Sequence, residues 1–297
     1  MEIASLLVAF GAGIFGAAIG ALPAFIFVGF LILAGVAIQA AGGGTAFLDF
    51  IPLGPAFGPH LAGFASGVAA AAYAAKKGKL ETGRDIASPI MGLNMPDALL
   101  VGGVFGLLGY VINWAFGLVG FAWTDTIALT VVVSAIIARI LWGNGVFGKV
   151  MEGESRFSPT DATQWITYQS SFAQRVVIGL GAGLMASFFA LQLGAENGGV
   201  LLGFAISAAS LVFLQFGAEV PITHHITLVA AVAAAASGSY IWGAVFGIGA
   251  AIVGEYMANL FLVHGDTHID PPAATIAALT SLSLLFGAIG VYGVPLP

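Results

Sequence analysis

Between residues 264 and 272 the chain reads His264-Gly265-Asp266-Thr267-His268-Ile269-Asp270-Pro271-Pro272, with long apolar runs on both sides. Imidazole beside carboxylate suits a divalent cation or a proton relay, so His264, Asp266, His268 and Asp270 form a candidate metal set. The two histidines flank a glycine just ahead of two prolines and need not share a helical face. Plain interfacial hydrogen bonding is the competing reading. Asp270-Pro271 also has the form of a helix start, an acidic N-cap followed by proline in the first turn. A weaker copy, Thr124-Asp125-Thr126, stands between two similar apolar runs, and Asp125 is expected to cap the helix after it.

Glu255 falls well inside an apolar run, where an ionised carboxylate is costly unless paired or protonated. Asn259 lies one helical turn on. Arg139, at comparable depth, either pairs with Glu255 or snorkels to the interface. Glu255 is read as a titrating group of function, against the alternative that it only binds helices together. Asn113 occupies nearly the same place in an earlier run. His60 and the pair His224-His225 each open a short apolar segment. Adjacent residues on a helix point about 100° apart, so His224 and His225 are not expected to ligate one ion. Ser207, Ser210 and Gln215 are further polar candidates for a cavity wall. The expected solute or ion pathway is thus drawn from Glu255, Asp125, Asp266, His60, His224, His225, His268, Asn113, Arg139 and Asn259.

These groups sit in a chain of 297 residues that is 59% hydrophobic and 7% charged, with a mean hydropathy of +1.03. A soluble domain carries about 25% charged residues, so lipid must be the solvent for most of this surface. The 43 glycines suit helices that pack closely in a membrane. With no cysteine, disulfides, thiolate metal sites and cysteine nucleophiles are excluded. A formal charge of −6 argues against nucleic acid as partner. No P-loop, dinucleotide fingerprint or H-E-x-x-H pair is present. Active transport would therefore draw on an ion gradient or a partner subunit.

Cutting the apolar runs at polar and Gly/Pro punctuation predicts an all-α integral membrane protein of about ten spans. They cover 3–20, 22–41, 60–75, 98–120, 126–147, 173–193, 198–217, 223–238, 240–263 and 272–292. Met1-Glu2 opens without the basic n-region of a signal peptide, so the first segment is read as a retained span. The third and eighth spans are short. Gly42-Gly43-Gly44 and a stretch holding Asp49, Pro52, Pro55 and Pro59 precede the third, as suits a re-entrant or broken segment, and a similar segment is expected before the eighth. With both termini outside, all 8 Lys and Arg residues fall on or near the cytoplasmic side, in accord with the positive-inside rule. Trp114, Trp123 and Trp242 then map near the outer interface, and Trp142 and Trp165 near the inner one. In the polar linker 149–172, Ser158-Pro159 predicts a short interfacial helix that carries Trp165 and Tyr168.

The chain also repeats itself. Gly11-Ala12-Gly13 recurs as Gly181-Ala182-Gly183, and Val104-Phe105-Gly106 as Val245-Phe246-Gly247. The second offset carries Asp125-Thr126 onto Asp266-Thr267, and His60 falls opposite His224-His225. A competing register pairs 124–148 with 223–247. Five spans is an odd number, so segments 1–148 and 173–297 would enter the bilayer in opposite senses, as inverted-topology repeats. The functional expectation is a secondary transporter for a small polar solute or cation, coupled to a proton or sodium. An oligomeric passive channel, and an intramembrane enzyme using His264, Asp266 and His268 on a divalent cation, are the alternatives.

Overall fold

In the computed structural model, residues 2–160 and 163–293 are described. The ends of the two predicted segments, residue 1 and residues 294–297, lie outside them, as do residues 161–162 of the linker. Strand pairing among the described residues is limited to isolated bridges, Gly83 with Thr267 and Ser155 with Ser158. The rest of the regular structure is helical.

The first two helices, α1 (Ile3–Ile19) and α2 (Ala21–Ala40), are separated by Gly20 alone. Its φ of 93° is open to glycine and strained for any other residue. A single turn and a half, α3 (Ala46–Phe50), leads into irregular backbone, and α4 (Ala65–Lys76) follows. Residues 58–64 are all buried. Their backbone bonds close on themselves, with Leu61 N–H donating to Gly58 O at 3.0 Å and Ala65 N–H to Pro59 O at 3.1 Å. Non-helical backbone is tolerated away from water when protein covers and satisfies it. Next come α5 (Pro96–Leu118), with proline in its first turn, and α6 (Thr126–Trp142), capped by Asp125.

After the linker, α7 (Phe172–Leu193) is capped by Ser171, and α8 (Gly199–Ser210) runs on as a tighter 3-10 stretch over Leu211–Phe216. The last three are α9 (His224–Ser237), α10 (Tyr240–Phe261) and α11 (Pro271–Ala288). Six of the helices, counting α8 with its extension, are long and apolar enough to cross a bilayer, and α1, α6 and α9 are shorter apolar ones. The protein is a multi-pass helical membrane protein.

Glycines set the closest contacts. A Cβ on Gly13 of α1 would fall 2.4 Å from Gly102 O and 3.0 Å from Gly106 Cα of α5. A Cβ on Gly183 of α7 would fall 3.2 Å from both Gly243 O and Gly247 Cα of α10. Thus α1 meets α5 through the residues that, by sequence offset, correspond to those joining α7 and α10. The likeness extends outward, since α4 packs on α1, α5 and α6 while α9 packs on α7, α10 and α11. Two further contacts run antiparallel. Gly29 of α2 lies on Ala209 of α8, and Gln39 Nε2 donates to Glu196 O at 2.7 Å. At the start of α6, Asp125 N–H donates to Thr280 Oγ1 of α11 at 3.1 Å, while Arg139 near its end reaches Thr267 just ahead of α11.

Two local expectations need correction. Helix α6 stops at Trp142 rather than reaching 147, because the chain turns extended at Gly143 and Asp266 takes up the Asn144 N–H. No helix follows Ser158-Pro159 among the described residues of the linker. Ser158 N–H donates to Ser155 O, residues 163–166 form turn and bend, and only Thr167–Gln169 make a 3-10 turn.

The close glycine contacts generate a matched prediction. Gly106→Ala and Gly247→Ala would each drive a Cβ onto backbone oxygen, 2.5 Å from Ala9 O and 2.6 Å from Gly179 O, whereas Gly117 meets nothing within 4 Å. Thermal unfolding in detergent should show both variants destabilised by about 1–3 kcal/mol, with Gly117→Ala close to wild type. Equal midpoints for all three would remove the close-contact account.

Candidate functional site

Between the α2–α8 and α6–α11 contacts lies a cavity of about 150 Å³. Its walls come from Leu22 and Phe25 of α2, Phe64 ahead of α4, Phe204 and Leu211 of the α8 segment, and Ile276 of α11. Four helices begin at it: α6 with Asp125 and Ala128, α9 with His224, α11 with Asp270 and Pro271, and α4 just behind Phe64. Trp165 of the linker closes one side.

The polar groups of this cavity have definite partners. Asp125 Oδ1 accepts the Ala128 N–H at 2.8 Å, and Asp270 Oδ2 accepts the Ala273 N–H at 2.8 Å. Both aspartates are thus N-caps, as expected, each answering amides that the first turn leaves without partners. His268 Nε2 lies 3.2 Å from Asp270 Oδ1, and its ring meets Phe64 edge-on with centroids 5.6 Å apart. The His224 ring sits between Phe25 and Phe204, at 4.8 and 5.9 Å, and its Nδ1 has no hydrogen-bond partner.

Behind Trp165 is a second polar group. His225 is fully buried, 5.9 Å from the Trp165 ring, and neither ring nitrogen has a partner. Its Nε2 rests against Gly254, where a Cβ would come within 2.8 Å. Glu255, the next residue of α10, is 7% exposed and Asn259 one turn on is 1% exposed. Glu255 Oε1 and Asn259 Oδ1 lack partners. The main-chain N–H of Trp165 faces the Glu255 carboxylate, and Arg175 acts on it through space. The same linker is pinned to the chain ahead of α9. Gln169 exchanges two hydrogen bonds with Ile222, and the Tyr168 hydroxyl donates to Val220 O at 2.9 Å. Burial, with Glu219 nearby, pushes the Tyr168 pKa up and keeps the phenol a donor.

Arg139 organises a third group, where the loops carrying most of the basic residues meet. It is 0% exposed. Its Nε donates to Thr267 Oγ1 at 2.8 Å and its Nη1 to Val146 O at 2.8 Å, with Phe261 O and Thr267 O as further acceptors. Around it, Arg84 donates to Val263 O at 3.3 Å, Lys149 N–H to His264 O at 2.9 Å, and His268 N–H to Gly83 O at 3.1 Å.

The candidate residues are therefore dispersed. Asp125, His224, His268 and Asp270 share the cavity; His225 is buried against Trp165 and Gly254, with Glu255 and Asn259 buried further along α10; Arg139 and Asp266 belong to the loop junction. Arg139 and Glu255 are not hydrogen-bonded or ion-paired, because the guanidinium is taken up by Val146 O, Phe261 O and Thr267. His264, Asp266, His268 and Asp270 do not converge either. His264 Nε2 faces Arg156 O at 3.4 Å and Asp266 holds the Asn144 N–H, while only His268 and Asp270 touch. Among the described residues, no group of three His, Cys, Asp or Glu side chains stands where it would hold a metal ion. His60 and Asn113 lie in the other half: His60 O presses on Gly109, one turn before Asn113, and both side chains carry a buried atom without a partner. Ser207 accepts hydrogen bonds from Thr223 and Thr227 below α9, Ser210 bonds back to Ser207 O, and Gln215 is exposed. Trp165 and the rings of Phe25, Phe64 and Phe204 had no distinguishing signal in a chain with 23 phenylalanines.

The fold and these groups define an all-α, multi-pass membrane protein with a cavity between the α2–α8 and α6–α11 contacts. The chain belongs to a family of unknown function (DUF7973), whose profile matches it twice, over residues 1–164 and over residues 152–295. No curated protein and no solved structure matches the chain.

Arg139 is the test of the loop junction. Removing its guanidinium in Arg139→Ala leaves several buried carbonyls without donors, at about 1–3 kcal/mol each. Monodisperse yield on size-exclusion chromatography should collapse for Arg139→Ala and fall less for Arg139→Lys, which keeps one donor head. Wild-type behaviour of Arg139→Ala would show that the junction is held by other contacts.

Proposed function

We propose that the protein is a secondary transporter for a small solute, built from two inverted five-helix repeats that alternate access to the cavity between them. The repeats are α1, α2, α4, α5 and α6, and α7 to α11, giving ten membrane segments joined by the 149–172 linker. Three observations support the duplication: one family profile matching both halves, the corresponding glycine contacts of α1–α5 and α7–α10, and the antiparallel meeting of α2 with α8 and α6 with α11. Antiparallel contact between equivalent helices is what a two-fold axis in the membrane plane produces.

The observation that carries the transport reading is the cavity itself. It lies where the two equivalent pairs meet, it is walled by elements of both halves, and several helices start at it rather than passing by. Broken and short helices around a mid-protein site are the usual architecture of alternating access. The buried groups His225, Glu255 and Asn259 take the coupling ion, a proton or sodium, with Trp165 between them and the solute. The junction of Lys- and Arg-bearing loops faces the cytoplasm, with the linker on that side and both ends of the chain outside.

Two measurements test this. In proteoliposomes with an imposed pH or sodium gradient, solute uptake should saturate and follow the gradient. Glu255→Gln should abolish accumulation while exchange persists, since the neutral amide keeps the shape and removes the titrating group; unchanged gradient dependence would leave Glu255 as helix packing alone. For orientation, cysteines at the exposed positions Lys79 and Ser158 should resist a membrane-impermeant thiol reagent in intact cells, and one at exposed Ala122 should react. The reversed labelling pattern would overturn the topology.

A further inference from the structure

We infer that the coupling ion is a proton, held on the Glu255 carboxyl, whose O–H donates to Asn259 Oδ1. This rests on reading the buried groups of α10 as the coupling site, and it decides which ion they hold.

Glu255 is the single carboxylate on the five helices α7 to α11. It is 7% exposed, and its Oε1 is sealed from water with no hydrogen-bond partner. An ionised carboxylate in that setting leaves an acceptor oxygen unanswered at high cost. Asn259, 1% exposed, has the same defect, since its Oδ1 is also sealed and without a partner. The two residues are four apart on the uninterrupted helix α10, which sets their Cβ atoms about 5–6 Å apart on one face. Two acceptors side by side cannot satisfy each other. One proton on Glu255 turns one of them into a donor, and the pair then closes through a single O–H···O bond. When the proton leaves, the Asn259 amide can turn its N–H groups to the carboxylate, so the same side chain serves both states.

The surroundings favour a proton over a metal cation. The helices packed on α10 are α7, α9 and α11, and they carry few titratable groups. Helix α7 brings Arg175, which acts on Glu255 through space, α9 brings His224 and His225, and α11 brings none. Arg156 of the linker is turned to Phe147 O and Leu260 O. A hard metal cation needs a shell of about six oxygens and the room to hold it. Here the oxygens without partners are sealed, the His225 ring is fully buried, and the charge that acts on Glu255 is a guanidinium, which repels a cation. A proton needs neither a shell nor volume. It comes from water on one side of the membrane, forms the O–H bond on Glu255, and returns to water on the other side, restoring the carboxylate. In the first half nearly the same place on α5 holds Asn113, whose Oδ1 is likewise sealed and without a partner. An amide takes no proton, so at this place the acid is present in the second half alone.

The experiment reads the proton itself, without transport. Full-length protein reconstituted in lipid is measured by infrared spectroscopy at neutral pH, and the spectrum of Glu255→Gln is subtracted from that of wild type. The difference should contain the carbonyl band of a carboxylic acid, and replacing potassium chloride with sodium chloride should leave that band unchanged. Imidazole has no carbonyl, so His225 is not confused with Glu255. Asn259→Leu, of similar size, should keep the band and shift its frequency, while Asn113→Leu should leave it in place. The inference is overturned by a difference spectrum without an acid band, by loss of the band in sodium, or by a band that Asn259→Leu does not move. An acid band in protein that shows no gradient-driven uptake in proteoliposomes upholds the proton and removes the carrier reading. Sodium-driven uptake by protein without the band does the reverse.

Discussion

A buried guanidinium holds one end of this molecule together. Among the described residues Arg139 is the largest fully buried side chain, and it is satisfied chiefly by backbone carbonyls from three separate segments, near the end of α6, the end of α10 and the start of α11. A charge in a low-dielectric interior is tolerated only with such complete hydrogen bonding. Because those carbonyls belong to different elements, satisfying the charge also fixes how they cross. The start of α11 is drawn against the end of α6, and Asp125 at the other end of α6 then meets Thr280. The cavity is the space that this crossing leaves between the N-caps of the two helices.

Around that crossing the rest of the protein is packed by small residues. The α1–α5 and α7–α10 pairs touch backbone to backbone through glycine, which makes each a stiff unit. Polar contacts between the halves are gathered in a few places, at the Arg84, Arg139 and Asn144 junction with residues 261–268, at Gln39 with Glu196, and at Thr124 and Asp125 with Ala277 and Thr280. Stiff units joined by local contacts move against one another more readily than they deform. In the proposed cycle the linker moves with the second half, since Tyr168 and Gln169 bind it to residues 220–222 while Trp165 lines the cavity and packs its ring on His225.

Much of the helical layout was legible in the sequence, because lipid leaves few ways to satisfy a backbone other than helices broken at Gly and Pro. The predicted run 22–41 appears as Ala21–Ala40, and 240–263 as Tyr240–Phe261. The caps at Asp125 and Asp270 were legible for the same local reason. What failed depended on contacts distant in sequence. Four His and Asp residues within 264–270 look like a ligand set, yet Arg156 O, Asn144 N–H and Phe64 hold three of them in different directions. Arg139 and Glu255 have comparable depth but face different neighbours, and depth alone carries no azimuth. Trp165 read as an interfacial residue, since nothing in a polar linker tells that it folds back between two helices.

The central claim is that the cavity between the halves opens to each side of the membrane in turn. The chain has no cysteine of its own, so Ala128→Cys, on the cavity wall at the start of α6, is a single clean reporter. Its alkylation by an impermeant thiol reagent, followed in right-side-out and inside-out vesicles, is the most direct measurement. The account predicts labelling from both sides, with an ion gradient shifting the balance between them. Labelling from one side only, whatever the gradient, would contradict it.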